Sequence, residues 1–221
     1  MATNTDPAGP WSLVVPLKPL ARAKSRLARA AGEDARPRLA LAFAQDTVAA
    51  ALACSRVRDV VVVTDDAVAA AALSALGARI VPDAPGAGLN AALAHGARSV
   101  RSLRPAAAVA ALNADLPALR TDELARVLDF ASAFPNAFLR DAAGIGTTFL
   151  AAAGGAEFRP AFGGPSGARH LASGAVEIAL SGVDSVRRDV DTGEDLRVAL
   201  ALGVGSHTAR IATAPTPSRD R

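Results

Sequence analysis

Five cations, Lys18, Arg22, Lys24, Arg26 and Arg29, fall within twelve residues that contain no acid. A run of like charge is most often a solvated face. This one follows directly on an apolar stretch, Ser12–Leu17, and side chains of this kind suit a polyphosphate, whose charge they neutralise through charge-assisted hydrogen bonds. Neither G-x-x-x-x-G-K-[ST] nor G-x-G-x-x-G occurs, so a nucleotide bound here would be held by cations and not by a glycine cradle.

Carboxylates supply the complementary chemistry. Asp115 stands in Asn113-Ala114-Asp115-Leu116-Pro117, directly after the apolar run Ala107–Leu112. An aspartate there can serve only to form a turn before proline, or it can be a Mg²⁺ ligand beside bound phosphates. Asp189 and Asp191 flank Val190, and alternate residues of an extended segment point to one side. Two like charges held together favour a neutralising cation. Mg²⁺ is typically held by one or two carboxylates plus substrate oxygens. The plainer alternative makes Asp191 a helix cap and Asp189 a surface residue.

Two glycine-rich segments, Gly144–Thr148 and Phe162–His170, offer backbone N–H groups, the hydroxyls of Thr147, Thr148 and Ser166, and the cations Arg169 and His170. Unless both are plain turns, that set suits a small anionic substrate. A third turn, Pro85–Asn90, includes Gly88 and Asn90 and permits close backbone approach to a base or ribose. The histidines, His95, His170 and His207, lack metal-ligand spacing, and no Ser-His-Asp or Cys-His set can be assembled. A phosphate nucleophile needs no such base, being largely ionised near neutral pH. Metal-assisted transfer onto a phosphorylated acceptor therefore fits the inventory.

The elements that must position these residues alternate regularly. Strands are predicted at Ser12–Leu17, Asp59–Thr64, Arg79–Val81 and Ala107–Leu112, with helices at Arg38–Cys54, Asp65–Leu76 closed by Gly77, Leu89–Val100, and from Thr121, whose Thr-Asp-Glu opening offers an N-cap. The unalternating Asp59–Thr64 reads as a strand buried on both faces. This rhythm predicts an α/β fold: a three-layer, mostly parallel sheet with helices on both faces and ligands at the carboxyl ends of its strands. A small β excursion near 137–152 is predicted from Ala137–Arg140 and Thr147–Ala152. A short helix follows near Ser166, a last strand at Val186–Val190, and a helix Gly193–Leu202 opened by Thr192.

Composition narrows the class. Hydrophobic residues make up 51%, enough for a sizeable core, while aromatics are 4% with no tyrosine, which argues against a stacking surface for single-stranded nucleic acid. The sequence pI of about 9.9 reflects the scarcity of groups titrating between histidine and lysine, because the net charge is only +3. The lone Cys54 excludes an internal disulfide and is read as packed. Without a signal-peptide pattern or a membrane-length apolar run, a soluble cytoplasmic protein is expected. One domain over 11–211 is expected, with a flexible leader at 1–10 and a disordered tail at 212–221.

In order along the chain, VVPLKPLARAKSRLA, VVVTDD, DAPGAGLNAAL, NADLPAL, GIGTT, FGGPSGARH and RRDVDTGEDL resemble the guanylyltransferases of deazaflavin coenzyme F-420 biosynthesis, roughly from Ser12 to Gly205. That resemblance implies a nucleotide-diphospho-sugar transferase (Rossmann-like) type of fold. It also implies the reaction: GMP is transferred from GTP to phosphoenolpyruvate or 2-phospho-L-lactate, releasing pyrophosphate. Residue by residue, it implies Asp115, Asp189 and Asp191 as Mg²⁺ ligands and Thr147 (or the adjacent Thr148), Gly163 and Ser166 on the acceptor. Lys18, Lys24 and Arg26 fall on the family's basic loop and act on the phosphates, with Arg22, Gly88 and Asn90 added on the nucleotide. A Gly often stands before the first aspartate where this chain has Asn113-Ala114, and Gly193 replaces a frequent Pro. Implied partners are GTP and a phosphorylated three-carbon acid, with no nucleic acid or membrane. A homodimer and hand-over of product to the next transferase of the pathway are compatible with the family. A molybdenum-cofactor or sugar-phosphate nucleotidyltransferase is the enzymatic alternative, and a non-catalytic nucleotide-binding regulator is the alternative of another class.

Overall fold

The computed structural model describes residues 11–22, 27 and 35–212. Seven strands form one sheet: β1 (Trp11–Pro16), β2 (Val57–Val63), β3 (Arg79–Val81), β4 (Ala108–Leu112), β5 (Asn136–Arg140), β6 (Thr147–Ala152) and β7 (Val176–Glu177), in the order β3-β2-β1-β4-β6-β5-β7. The pairings of β1 with β2 and β4, of β2 with β3 and of β5 with β7 are parallel; β6 runs antiparallel to both its neighbours. The mostly parallel sheet and its small excursion thus match expectation. The strand β7 has two residues, too short for any period to show.

The helices are α1 (Ala35–Leu52), α2 (Ala67–Ala75), α3 (Leu89–Leu103), α4 (Thr121–Ala131), α5 (Ser166–Ala172), α6 (Asp184–Arg187), α7 (Gly193–Leu202) and α8 (Ser206–Ala212). The pleat divides the core. Leu13, Val15, Val60, Val62, Leu112 and Phe149 pack with Ala44 and Val48 of α1 and Leu124 and Leu128 of α4. Val14, Val61, Val63, Val109 and Ala111 pack on the other face against Ala92, Leu93, Ala97 and Val100 of α3. At Gly96 a Cβ would lie 2.5 Å from Val14 Cγ1, so only glycine lets α3 rest this close to β1. Cys54 is buried just past α1 and burial raises its thiol pKa, as suits packing and not nucleophilic work. Among the described residues no helix is long and apolar enough to cross a membrane.

Three local expectations change. The strand expected at Val186–Val190 is instead the short helix α6 and an irregular segment, because Val186 N and Arg188 N bond back to the carbonyls of Val183 and Asp184. Thr121 is the first residue of α4 and not its cap; Arg120 stands at the cap, and its N–H donates to Ser185 Oγ at 3.0 Å. The helix α8 adds to the expected elements. Its start is fixed by Asp46 of α1, whose carboxylate accepts from His207 N at 3.0 Å and Thr208 N at 2.8 Å. The leader and the segment 213–221 lie outside the described residues.

Candidate active site

At the carboxyl ends of β1 and β4 lies a cleft of about 680 Å³. It is lined by Lys18 after β1, Asp115 after β4, Asp189 and Asp191 before α7, and Thr147, Gly163 and Ser166. Residues far apart in sequence meet here because of one topological feature. Since β6 is antiparallel, its first residue Thr147 comes to the edge where β4 ends, Leu112 being paired with Phe149. A sheet edge of this kind is where α/β ligands bind.

Each aspartate is held by its backbone. Thr47 of α1 is fully buried; its hydroxyl accepts from Leu116 N at 3.0 Å and shares its one hydrogen between the carbonyls of Phe43 at 2.8 Å and Ala114 at 3.2 Å, so it touches the turn on both sides of Asp115. Val190 N donates to the Asp115 carbonyl at 3.0 Å, joining the two acidic segments. Val190 itself is buried while Asp189 and Asp191 line the cleft, as alternation required. The role of helix cap belongs to Thr192 and not Asp191: Thr192 Oγ1 accepts from Asp195 N, and Asp195 answers Thr192 N at 2.9 Å. Among the described residues no three His, Cys, Asp or Glu side chains converge into a ready metal site. Carboxylates are nonetheless the kind of donor a hard cation takes, with substrate oxygens completing its shell.

The pleat separates the two adjacent threonines. Thr147 lines the cleft, whereas Thr148 is fully buried, its hydroxyl without a hydrogen-bond partner among the described residues. Ser166, at the start of α5, places Oγ 2.9 Å from Thr147 Oγ1. Gly163 and Gly164 have φ of 97° and 48°, so the loop before α5 adopts a left-handed backbone that side chains resist.

Asp141, which falls in none of the motifs above, also lines the cleft. Its carboxylate accepts from Ile145 N at 2.9 Å and Gly146 N at 2.8 Å, folding the hairpin loop that leads to Thr147. The available signal was an aspartate heading a glycine-containing turn.

Other residues expected as ligands are placed differently. Asn90 does not line the cleft; its amide pairs with both backbone groups of Phe162, at 3.1 and 2.8 Å, and so anchors the loop that carries Gly163. Gly88 is the cap residue of α3, and its neighbour Leu89 is the residue of that turn that reaches the cleft. Arg169 is turned to the backbone carbonyls of Ala161 and Gly163. His170 is not a cation for substrate. It is fully buried, and burial, with the Arg169 charge adding, pulls its pKa down to about 4. Arg22 closes the turn Leu20–Arg22 after β1, which Asp66 ties to α2 by accepting from Leu20 N at 2.8 Å. Lys24 and Arg26, like Arg29, lie outside the described residues.

Relatives share this arrangement's sequence almost end to end. A protein of Streptomyces avermitilis named phosphoenolpyruvate guanylyltransferase is 69% identical over 214 residues, covering 96% of this chain and 99% of its own. One of the same name from Streptomyces coelicolor is 69% identical, covering 91% and 95%. Among solved structures, a nucleotidyl transferase from a Methanothermobacter species superposes with a TM-score of 0.60 at 21% identity, covering 87% of this chain and 97% of its own, which shows the fold alone. The profile of the family described as "Guanylyl transferase CofC like" matches residues 11–212. The chain is a nucleotidyltransferase and belongs to the CofC-like guanylyl transferase family.

Proposed function

We propose that the cleft transfers GMP from GTP to phosphoenolpyruvate, releasing pyrophosphate and forming a guanosine-diphospho derivative of the three-carbon acid. One observation carries this reading: a single sheet edge gathers Lys18, the carboxylates of Asp115, Asp189 and Asp191, and a hydroxyl pair beside a glycine loop, in a chain 69% identical to proteins named for this activity. Lys18, with Arg22, Lys24 and Arg26 of the basic loop, is assigned to the triphosphate and the leaving pyrophosphate. Asp115, Asp189 and Asp191 would hold Mg²⁺, which when bound supplies charge neutralisation at the phosphates.

Thr147, Gly163 and Ser166 hold the acceptor so that one oxygen of its phosphate faces the α-phosphorus of GTP. A new P–O bond forms there as the bond to the β-phosphate oxygen breaks, and the electron pair leaves with pyrophosphate. No proton need be removed from the nucleophile. Positioning and charge neutralisation therefore carry the rate. The catalytic unit on this reading is residues 11–211, working in the cytoplasm where both substrates are soluble. GTP and Mg²⁺ are supplied together with phosphoenolpyruvate, 2-phospho-L-lactate or a sugar phosphate in turn. Pyrophosphate release and an unsaturated product by mass spectrometry with the first are expected; release only with another acceptor, or with none, overturns the reading.

A further inference from the structure

The acceptor hydroxyls stand at the end of a buried hydrogen-bond chain that the reaction itself does not require. The amide of Ala161 can only donate, and it points at His170 Nε2 at 3.0 Å. A ring nitrogen that accepts carries no proton, so the neutral imidazole has its hydrogen on Nδ1. That nitrogen lies 3.0 Å from Thr147 Oγ1, which must then accept from it. Phe162 stands edge-on to the imidazole with centroids 5.2 Å apart and Phe138 lies tilted at 5.7 Å, so the ring cannot turn over without displacing both.

The consequence lies at the cleft. With one acceptor position of Thr147 occupied by His170, the two hydroxyls share one hydrogen between them across 2.9 Å. Whichever oxygen donates in that pair, one hydroxyl hydrogen is left over, and both side chains line the cleft. We propose that His170 is a positioning residue that polarises Thr147 and Ser166 so that the pair presents a hydrogen-bond donor to an oxyanion of the acceptor. Every bond from Ala161 N–H through the imidazole to Thr147 then donates in one direction, toward the cleft, and with Ser166 also donating to Thr147 the left-over hydrogen is that of Thr147; such chains strengthen cooperatively. An ionised carboxylate or phosphate oxygen is matched by that polarity, and a group that brings its own hydrogen is not. The inference rests on the acceptor anion being bound in this cleft, as proposed above.

Two measurements test it. Nitrogen NMR of the wild-type protein at neutral pH, without any substrate, should show His170 as the neutral tautomer protonated on Nδ1; the other tautomer, or an imidazolium, overturns the proposal. For turnover, His170→Phe keeps the ring packing and removes both polar contacts, whereas His170→Asn keeps a donor near the position of Nδ1. His170→Phe should raise KM for phosphoenolpyruvate about tenfold or more with KM for GTP nearly unchanged, and His170→Asn should recover part of the loss. Equal effects on both substrates, or no recovery by asparagine, mark a merely structural histidine and sink the idea. A wild-type protein inactive with phosphoenolpyruvate would defeat the proposed acceptor, while the tautomer measurement would still decide the role of His170.

Discussion

The amide of Val190 donates to the carbonyl of Asp115 at 3.0 Å, and this one bond joins the acid after β4 to the acids before α7. That bond uses neither carboxylate, so it remains in place when a side chain is neutralised. Asp189→Asn should melt within a few degrees of the parent and lose orders of magnitude in kcat, because its electrostatic role is removed while its shape is kept. Melting curves and Mg²⁺ titrations of the rate check this together. Near-full activity in the asparagine variant would remove Asp189 from the proposed ion site.

Chelation probes the same three carboxylates without mutation. On the proposed reading, EDTA should abolish pyrophosphate release and excess Mg²⁺ should restore it. Replacement by Ca²⁺ should give a much slower reaction, since the larger ion takes more ligands at longer distance. Turnover that persists after exhaustive chelation would argue that Lys18 and the basic loop suffice.

Thr47 provides a test of positioning at a distance. Its hydroxyl serves the Phe43 carbonyl at 2.8 Å, the Ala114 carbonyl and the Leu116 amide, all in the interior. Thr47→Val keeps the volume but strands a buried amide, at a cost of about 1–3 kcal/mol. The expected result is a melting point several degrees lower and a reduced kcat as the Asp115 turn loosens. An unchanged melting point would show that water replaces the hydroxyl.

These cases show which features of the chain could be read without coordinates. The stretch Asp59–Thr64 reads as a buried strand because its four valines do not alternate with polar residues, and the pairings and burial of β2 agree. Asp115, Asp189 and Asp191 were legible because turn position and alternation are local properties, and the cleft gathers all three. Thr47 was not, because a threonine in an alanine-rich helix carries no motif; its meaning comes from a turn 67 residues away. Its neighbours in sequence suggest a cation at His170, whereas Phe138, Phe162 and Ala161 converge on it from other elements and burial lowers its pKa. Burial created by distant packing is the property that sequence windows do not hold.

The neutrality of His170 should appear in the pH dependence of stability. Burial, and secondarily the charge of Arg169, lowers its pKa to about 4 from an ordinary value of 6.5. Between these values the unfolded chain binds a proton that the folded chain refuses. Stability from this group is therefore whole above about pH 6.5 and falls as the pH drops toward 4, by up to ~3 kcal/mol. Urea midpoints from pH 7 to pH 4 should decline more steeply for the parent than for His170→Phe, whose ring does not titrate. Parallel curves would show that the imidazole is readily protonated where it stands.

Gly146→Ala separates the acceptor side from the nucleotide side. A Cβ at this position would fall 2.3 Å from Asp141 Oδ2, the oxygen that accepts from the Gly146 amide. Asp141 cannot retreat without releasing that amide, and its other oxygen is committed to Ile145 N. The loop must therefore open by one or both of these bonds, a loss on the order of 1–3 kcal/mol, and Thr147 is the next residue along. Lys18 and Asp115 hang from β1 and β4, and the segment that carries Asp189 meets the hairpin through Ala142 N, which donates to the Arg187 carbonyl at 2.9 Å, and not through the Asp141 carboxylate. The variant should raise KM for phosphoenolpyruvate severalfold, leave KM for GTP close to the parent value, and fold cooperatively with a modestly lower melting point. Asp141→Ala should reproduce the same split by removing the acceptor of both bonds. If either variant instead weakens GTP and phosphoenolpyruvate alike, the hairpin loop serves the whole cleft and the division between its two walls is wrong.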